Sequence, residues 1–487
     1  MDITLDDKLG AFQQISQRKL IEILDVIAGK KDLIIEQKLM KLLDCFVGVT
    51  VLRRYGVEKI FKLEQGLKPA NVQRIFIVSC DLIACKRVLD QIQAEVSQSH
   101  GLSHHMLVVP LVPIALRSLV EEEGLAGQIN LRSLSWEFIL FDGNVLSMEI
   151  PMFGDLYYHK DTGLLPALAR NLWSLKLILG APRLTLSIGK YSQQTLKMVK
   201  SIEESFGSPG GENETGALIV MDRSFDLAST LLTSVTYLGL LSEVVDINSG
   251  TATLGGSQTK LDPNKDHVYG DVRDRHFSDA FPTLRAKAKL LKYDHPLRSL
   301  RLLSLLSITS DGVTRSETQT IQQSHLHAHG YQNIPLFYKL ESVNLLKYRT
   351  DNVLNKLPNW TSKWMTNAKR LKLFPSASKA LDLKGPTCPS YVFSGVYIPA
   401  IAQIINNVAT QSDPKSFEDL TNLPECIIIG GQGPITPKVV VICIIGGITY
   451  AEISACRLVE KSAGIRLVMV SDSIITGNKL IESVQNA

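Results

Sequence analysis

Residues 216–245, "GALIVMDRSFDLASTLLTSVTYLGLLSEVV", set an acidic pair and an arginine at the end of an apolar run. Ala217 to Met221 reads as a buried strand: short, apolar, rich in Ile and Val, and closed by polar residues. Open α/β sheets carry ligand crevices just beyond the carboxyl ends of such strands, which makes Asp222, Arg223 and Asp226 candidates for chemistry. The competing reading is structural. Arg223 pairs with a carboxylate and pins the turn, an arrangement far commoner than a catalytic one.

Outward from this stretch, strand and helix alternate. Leu5, Leu9, Phe12, Ile15, Leu20, Ile23, Leu24 and Ile27 recur at helical spacing, and Gly29 closes that helix. Strand-like runs follow at 32–36, 58–63, 74–79 and 105–110, with helices at 82–96 and 113–123, which argues for a parallel sheet covered on both faces. The text is helical from 161 to 180 and loop-like from 206 to 216. The strand and helix grammar returns with 438–447, a helix from about 450 to 463, a strand at 465–473 and a last helix to 484. Residues 260–380 read as mostly helical, interrupted by Pro282, Pro296, Pro335, Pro358 and Pro375. The chain therefore divides into an α/β domain one over 1–145, a discontinuous α/β domain two over 146–255 plus 385–487, and a mainly helical domain three inserted over 256–384. A continuous second domain is the alternative.

Composition narrows the function. A chain of 487 residues, 45% hydrophobic, can bury about three cores of ordinary size. Its 52 basic and 48 acidic residues are mixed, with no long basic run to neutralise a phosphate backbone, so nucleic acid is not an expected partner. Seven cysteines (Cys45, Cys80, Cys85, Cys388, Cys426, Cys443, Cys456) show no C-x-x-C spacing and suit buried thiols in a reducing compartment. The sequons at Asn213 and Asn359 carry no meaning there. "MDITLDDKLGAFQQ" lacks the basic start and apolar centre of a signal peptide, and "VVVICIIGGITY" (439–450) is too short to cross a bilayer. The expected location is cytoplasmic, with membranes reached only through partners.

Other motifs are weak. Gly189-Lys190 in "LSIGKYS" has Leu184 and Tyr191 where a phosphate loop needs Gly and Ser or Thr. Gly446 and Gly447 follow a strand and precede a helix whose N–H groups could hold an anion, but close strand-to-helix packing also demands small residues there. His325 and His329 share a helical face at metal-ligand spacing with no third ligand close in sequence. His104 and His105 precede a strand and carry no further signal. No G-x-S-x-G, H-E-x-x-H or Rossmann fingerprint occurs, and no cofactor is expected.

The opening stretch resembles the signature of the Sec-1/Munc-18 (SM) family, D-R-x-x-D followed by a Thr-Tyr pair, a glycine and an acidic residue. Asp222, Arg223, Asp226, Thr236, Tyr237, Gly239 and Glu243 take those places. A second signature, a strand followed by Gly-Gly-x-Thr-x-x-Glu, matches Gly446, Gly447, Thr449 and Glu452. Phrases such as "GKKDLIIEQKLMKLLD" (29–44), "VRDRHFSDAF" (272–281) and "YVFSGVYIP" (391–399) resemble the vacuolar protein sorting 33 branch of that family, its B form more than its A form. Leu231 and Leu238 depart from the signature, which usually has proline and a polar residue there.

The resemblance implies an arch of two α/β parallel-sheet domains and an inserted helical domain, with no catalytic residue. It implies a scaffold that binds SNARE proteins of the syntaxin type and a solenoid subunit of a class-C tethering complex, at late endosomes and lysosomes. On this reading the signature residues are structural, and Asp222 and Arg223 brace a corner as a buried ion pair. The alternative is a phosphate- or nucleotide-handling enzyme built on the Asp222 corner or the Gly446 turn. Family members carry a long helical excursion between the counterparts of 281–294 and 295–307. Here the flanks meet at Tyr293 to Pro296, so domain three is expected to be shortened. Leu284, Ala288 and Leu291 share one helical face before the joint, and Leu300, Leu303 and Leu306 begin the next helix.

Overall fold

In a computed structural model, the chain is described at all residues except 1–3, 65, 99–100, 209–214, 249, 255–256, 262–268, 271–272, 276–296, 349–362, 376–384, 411–413, 431–437 and 487. The joint, with Leu284, Ala288, Leu291 and Pro296, lies outside the described residues, as do Asn213, Pro282, Pro358 and Asn359. By packing, the chain forms two compact units, one of residues 1–140 and 163–178, the other of residues 141–162 and 179–487.

Unit one is built on a five-stranded sheet in the order β2-β1-β3-β4-β5. Its strands are β1 (Lys31–Ile35), β2 (Val57–Lys62), β3 (Gln73–Ser79), β4 (Ser103–Val109) and β5 (Ile129–Ser133), all paired in parallel. Four of the five were legible as apolar runs; β5 was not, because "INLRS" sits on an edge and only its apolar positions are partly covered. The helices are α1 (Leu5–Val26), α2 (Gln37–Phe46), α3 (Val49–Arg54), α4 (Leu82–Gln98), α5 (Ile114–Glu122) and α6 (Leu165–Leu179). α1 opens on a capping box between Thr4 and Asp7 and buries Leu9, Phe12, Leu20 and Leu24. Phe76, Val78, Met106 and Val108 meet Cys85, Val88, Leu89 and Ile92 of α4. Trp136 is almost wholly buried, its ring edge-on to Phe46 at 5.4 Å.

One charge cluster runs through this core. Arg74, inaccessible to water, bonds Asp32 at 2.9 Å and Glu95 at 2.5 and 3.1 Å, while His104 Nε2 lies 3.0 Å from Glu95. Asp32 also accepts the Ala70 and Asn71 N–H groups, at 2.8 and 3.0 Å. The histidine with no signal in the sequence is thus part of the cluster.

Unit two holds a sheet whose strands run in the order β13-β8-β9-β14-β15-β7. It is assembled from three distant stretches: β7 (Val145–Ser147), β8 (Pro182–Ile188) with β9 (Thr215–Asp222), and β13 (Cys426–Gly430), β14 (Val439–Ile445) and β15 (Arg466–Ser471); the two-residue strand β6 (Ile139–Leu140) lies among the residues of unit one. β8, β9, β14, β15 and β7 pair in parallel, and β13 is an antiparallel edge. β9 and β14 are buried along nearly their whole length, which their unbroken apolar text announces. A separate antiparallel sheet of β10 (Asp246–Asn248), β11 (Thr251–Leu254) and β12 (Ser257–Lys260) had no clear signature in its polar sequence.

Helices α7 (Lys190–Phe206), α8 (Ala228–Leu231) and α9 (Tyr237–Val244) belong to the signature region. α10 (Leu297–Thr309), α11 (Arg315–His329), α12 (Ile334–Ser342) and α13 (Lys363–Arg370) supply the helical character expected of 260–380. α14 (Ala400–Thr410), α15 (Pro414–Thr421), α16 (Tyr450–Ala463) and α17 (Gly477–Asn486) complete the unit. α14 and α16 cover the face of the sheet formed by Ala217, Ile219, Val440, Ile442 and Leu467.

Removing Arg74 takes the guanidinium counter-charge from two buried carboxylates. Arg74→Ala is expected to destabilise unit one by ~3–5 kcal/mol, read as faster hydrogen exchange in β1 and β3. Burial raises the Asp32 and Glu95 carboxyls, but hydrogen bonds from Ala70, Asn71, His104 and Arg74 outweigh it and hold both below their usual values of 3.8 and 4.5. Their contribution is therefore complete at neutral pH and is lost as pH falls through the lowered values. In urea melts at pH 7 and pH 3, Arg74→Ala narrows the difference that the unaltered chain shows.

Candidate functional site

The carboxyl ends of β9, β14 and β15 bring the signature residues together. β9 ends at Asp222, and Arg223 opens the short helical turn that follows. Arg223 is inaccessible to water and grips Glu452 through two bonds, Nη1 to Oε2 at 2.8 Å and Nη2 to Oε1 at 2.7 Å. It also donates to Gly447 O at 3.1 Å and to Asp226 O, leaving its Nε without a partner. Burial alone would lower the guanidinium's pKa, but the Glu452 carboxylate raises it by more.

The expected ion pair between Asp222 and Arg223 does not form. Asp222 turns to the opposite side and accepts the Tyr191 and Ser192 N–H groups, at 2.8 and 2.7 Å, at the start of α7. Neighbours at a strand end point to opposite faces, so the two side chains were never placed to meet. Gly189 permits this approach: it has φ +109°, and a Cβ there would lie 2.4 Å from the Asp222 carboxyl. Burial pushes the Asp222 carboxyl up to about 6, against the pull of those two N–H groups.

Each remaining acidic group also terminates on a helix start or turn. Asp226 accepts Ser229 N–H at 3.0 Å, Ala400 N–H at 2.8 Å and the Tyr397 hydroxyl at 3.0 Å, tying α8 to the start of α14. Glu452 closes a capping box with Thr449, whose hydroxyl accepts Glu452 N–H at 3.2 Å while Thr449 N–H donates to Glu452 Oε2 at 2.9 Å. Asp472, which the sequence reading did not single out, accepts Gly446 N–H at 2.6 Å, Gly447 N–H at 3.0 Å and Met152 N–H at 3.0 Å. The signal for it existed: it ends the apolar run of β15 as Asp222 ends that of β9.

The Gly-Gly turn that could have held a phosphate therefore holds the chain's own carboxylate. Both glycines have positive φ, and a Cβ on Gly446 would sit 2.8 Å from Arg223 Cβ, one on Gly447 2.6 Å from Ile475 Cγ2. Thr236 and Gly239 lie in the cap of α9, where the Thr236 hydroxyl accepts Gly239 N–H at 3.3 Å, and Glu243 binds Arg301. Tyr237, half-buried, begins the same helix. Asp222, Arg223, Asp226, Gly446, Gly447, Thr449 and Glu452 thus meet in one buried cluster, and Thr236, Tyr237, Gly239 and Glu243 form a second on α9.

His325 is buried against Phe337, with the His329 ring 4.7 Å away. Among the described residues no three His, Cys, Asp or Glu side chains group as a metal site. All seven cysteines are free thiols, and burial raises Cys85 to about 12 and Cys426 to about 11. Among the described residues no helix is long and apolar enough to cross a membrane.

The Sec1 family pattern matches residues 31–299 and 290–483. The chain belongs to the Sec1 family. It is 23% identical to vacuolar protein sorting-associated protein 33B of Rattus norvegicus, over 97% of this chain and 96% of that relative. The 33A protein of the same organism is also 23% identical, over 98% and 97%. Among solved structures, the Unc18–syntaxin 1 complex from Monosiga brevicollis matches 97% of this chain and 98% of its own at a TM-score of 0.55 and 14% identity. Sly1p in complex with an N-terminal peptide of Sed5p matches 100% and 99%, with a TM-score of 0.53 and 16% identity. These likenesses establish the SM-type α/β fold. The alignment to rat 33B runs over 594 positions against 487 residues here, so at least 107 positions of it have no counterpart in this chain.

Breaking the central pair should be costly and replacing Asp222 less so. Arg223→Ala is expected to cost ~3–5 kcal/mol, because it leaves Glu452 buried and unpaired. Asp222→Asn is expected to cost ~1–3 kcal/mol, since an amide keeps one acceptor oxygen and turns its NH2 toward the other of the two backbone donors. Chemical denaturation measures both. The two substitutions should add, because they touch opposite faces of the strand end, whereas Arg223→Ala and Glu452→Ala together should cost much less than their sum.

Proposed function

We propose that this chain is a non-enzymatic scaffold that binds SNARE proteins of the syntaxin type and promotes their assembly in membrane fusion. The observation that carries the reading is a family match over most of the chain, shared with proteins solved as complexes with syntaxin 1 or a Sed5p peptide. The strand-end cluster supports it: Asp222, Arg223, Asp226, Glu452 and Asp472 are buried and committed to one another or to backbone groups, as a brace requires and a catalytic crevice does not. The mechanism is then surface binding, which lowers the entropic cost of bringing SNARE segments together without cofactor or covalent step.

The finer reading is of the vacuolar protein sorting 33 type, its B form, in the cytoplasm and on late endosomes and lysosomes. A solenoid subunit of a class-C tethering complex carries it there. The three-part division into 1–145, 146–255 with 385–487, and 256–384 belongs to this reading. So does a third domain shortened at the joint, where the two matched stretches of the family pattern overlap at residues 290–299.

A preordered cradle offsets part of the ordering cost of a SNARE helix, and a chain with a reduced cradle keeps tether binding while losing templating. The test compares this chain with rat 33B for binding to the solenoid subunit and for acceleration of SNARE assembly. Comparable tether binding with acceleration lower by roughly tenfold or more is expected. Equal acceleration by the two proteins would remove the case for a shortened cradle, and no SNARE binding by this chain would end the scaffold reading. Alone, the chain should stay in the supernatant when sedimented with protein-free anionic liposomes at physiological salt.

A further inference from the structure

Helix α9 uses its signature residues to hold two other parts of the chain. An α-helix leaves its first N–H groups without partners. Here the third is taken by the Thr236 hydroxyl, and the first two are taken by a distant segment: Tyr237 N–H donates to Arg275 O and Leu238 N–H to Arg273 O, each at 3.0 Å. Gly239 lets the helix approach Ser234, whose Oγ would lie 2.4 Å from a Cβ at that position. In the last turn Glu243 receives Arg301 of α10, at 2.5 and 3.1 Å. Arg301 is buried and also reaches Leu231 O at 3.2 Å and Asn478 Oδ1 at 3.3 Å.

Residues 273–275 are fixed from their other side as well. Asp274 accepts the Ser454 hydroxyl at 2.6 Å and Arg457 Nη1 at 3.1 Å, and its carbonyl accepts the Tyr391 hydroxyl at 2.8 Å. Arg457 and Arg273 share Asp142. Leu238 and Glu243 are five residues apart, about 7.5 Å along a helix. The chain is therefore pinned at 273–275 and again at 301 within two turns of one short helix. The overlap of the two family-matched stretches, at 290–299, falls between these pins.

We propose that α9, through Tyr237, Leu238 and Glu243, clamps both ends of the segment between residues 275 and 301 at one place on unit two. The helical excursion of the relatives is then an insertion whose presence or absence leaves that unit intact. Insertions are tolerated where their ends lie close together, and the entropy of closing a loop grows only logarithmically with its length. This gives the threonine, glycine and glutamate of the signature a common purpose. The clamp rests on the contacts of α9; only the insertion arm of its test rests on the proposed shortening of the third domain.

The test is hydrogen exchange on the full chain, on Glu243→Ala, and on a chain with the unmatched segment of rat 33B placed between residues 290 and 299. Glu243→Ala is expected to speed exchange in α10 roughly tenfold or more while β9 and β14 change less than about twofold. The insertion is expected to leave β9 and β14 within the same twofold. Equal acceleration in α10 and the two strands, or none in α10, overturns the clamp. Loss of protection in β9 and β14 in the insertion chain alone overturns the insertion reading and leaves the clamp standing. If Glu243→Ala does not fold, Glu243→Gln is measured by the same thresholds. Failure of both to fold overturns the proposal, because unit two would then depend on the contact rather than merely hold the segment by it.

Discussion

The guanidinium of Arg223, shut away from water at the end of β9, meets the carboxylate of Glu452 at the start of α16, 229 residues later in the chain. Neither charge is stable alone in that place, since an unpaired buried ion costs several kcal/mol even after relaxation. The pairing therefore sets where α16 begins relative to β9. Once Glu452 is held, its second task follows: the same carboxylate completes the capping box with Thr449. Gly446 and Gly447 must then turn beneath Arg223 with backbone angles that side chains resist. A pair of this kind adds little net stability against an apolar substitute, but it selects one geometry among many.

The same logic recurs at each neighbouring strand end. Asp222, Asp226 and Asp472 place carboxylates on backbone N–H groups at helix starts and at the Gly-Gly turn, the positions where α/β enzymes hold a substrate's phosphate. In this chain those donors are already satisfied from within. At these residues the crevice positions of the sheet have become joints.

Unit one repeats the device with different residues. Asp32, Arg74, Glu95 and His104 link β1, β3, α4 and β4 beneath a shell of aliphatic side chains. In both units the buried charges sit where the packing of apolar residues, which is permissive about angle, would leave the strand and helix ends underdetermined.

Much was legible in the amino-acid sequence because it depends on neighbours along the chain. The apolar runs of β1, β3, β4, β9 and β14 and the glycines before α16 all follow from local periodicity and backbone chemistry. The resemblance of the signature phrases to one family carried the rest of the fold. Partners across long separations were not legible. Arg223 reads as the partner of Asp222 next to it, and only the strand geometry sends the two to opposite sides, one to Glu452 and the other to α7. Arg301 and Asp274 carry no local pattern, since their roles come from contacts with residues between 58 and 183 positions away. What the sequence determined by itself was which apolar or periodic segments become buried strands and helices, edge strands such as β5 excepted. What the tertiary structure decided was which charge meets which, because a buried ion takes the counter-charge or backbone dipole that folding brings within about 3 Å, at any distance along the chain.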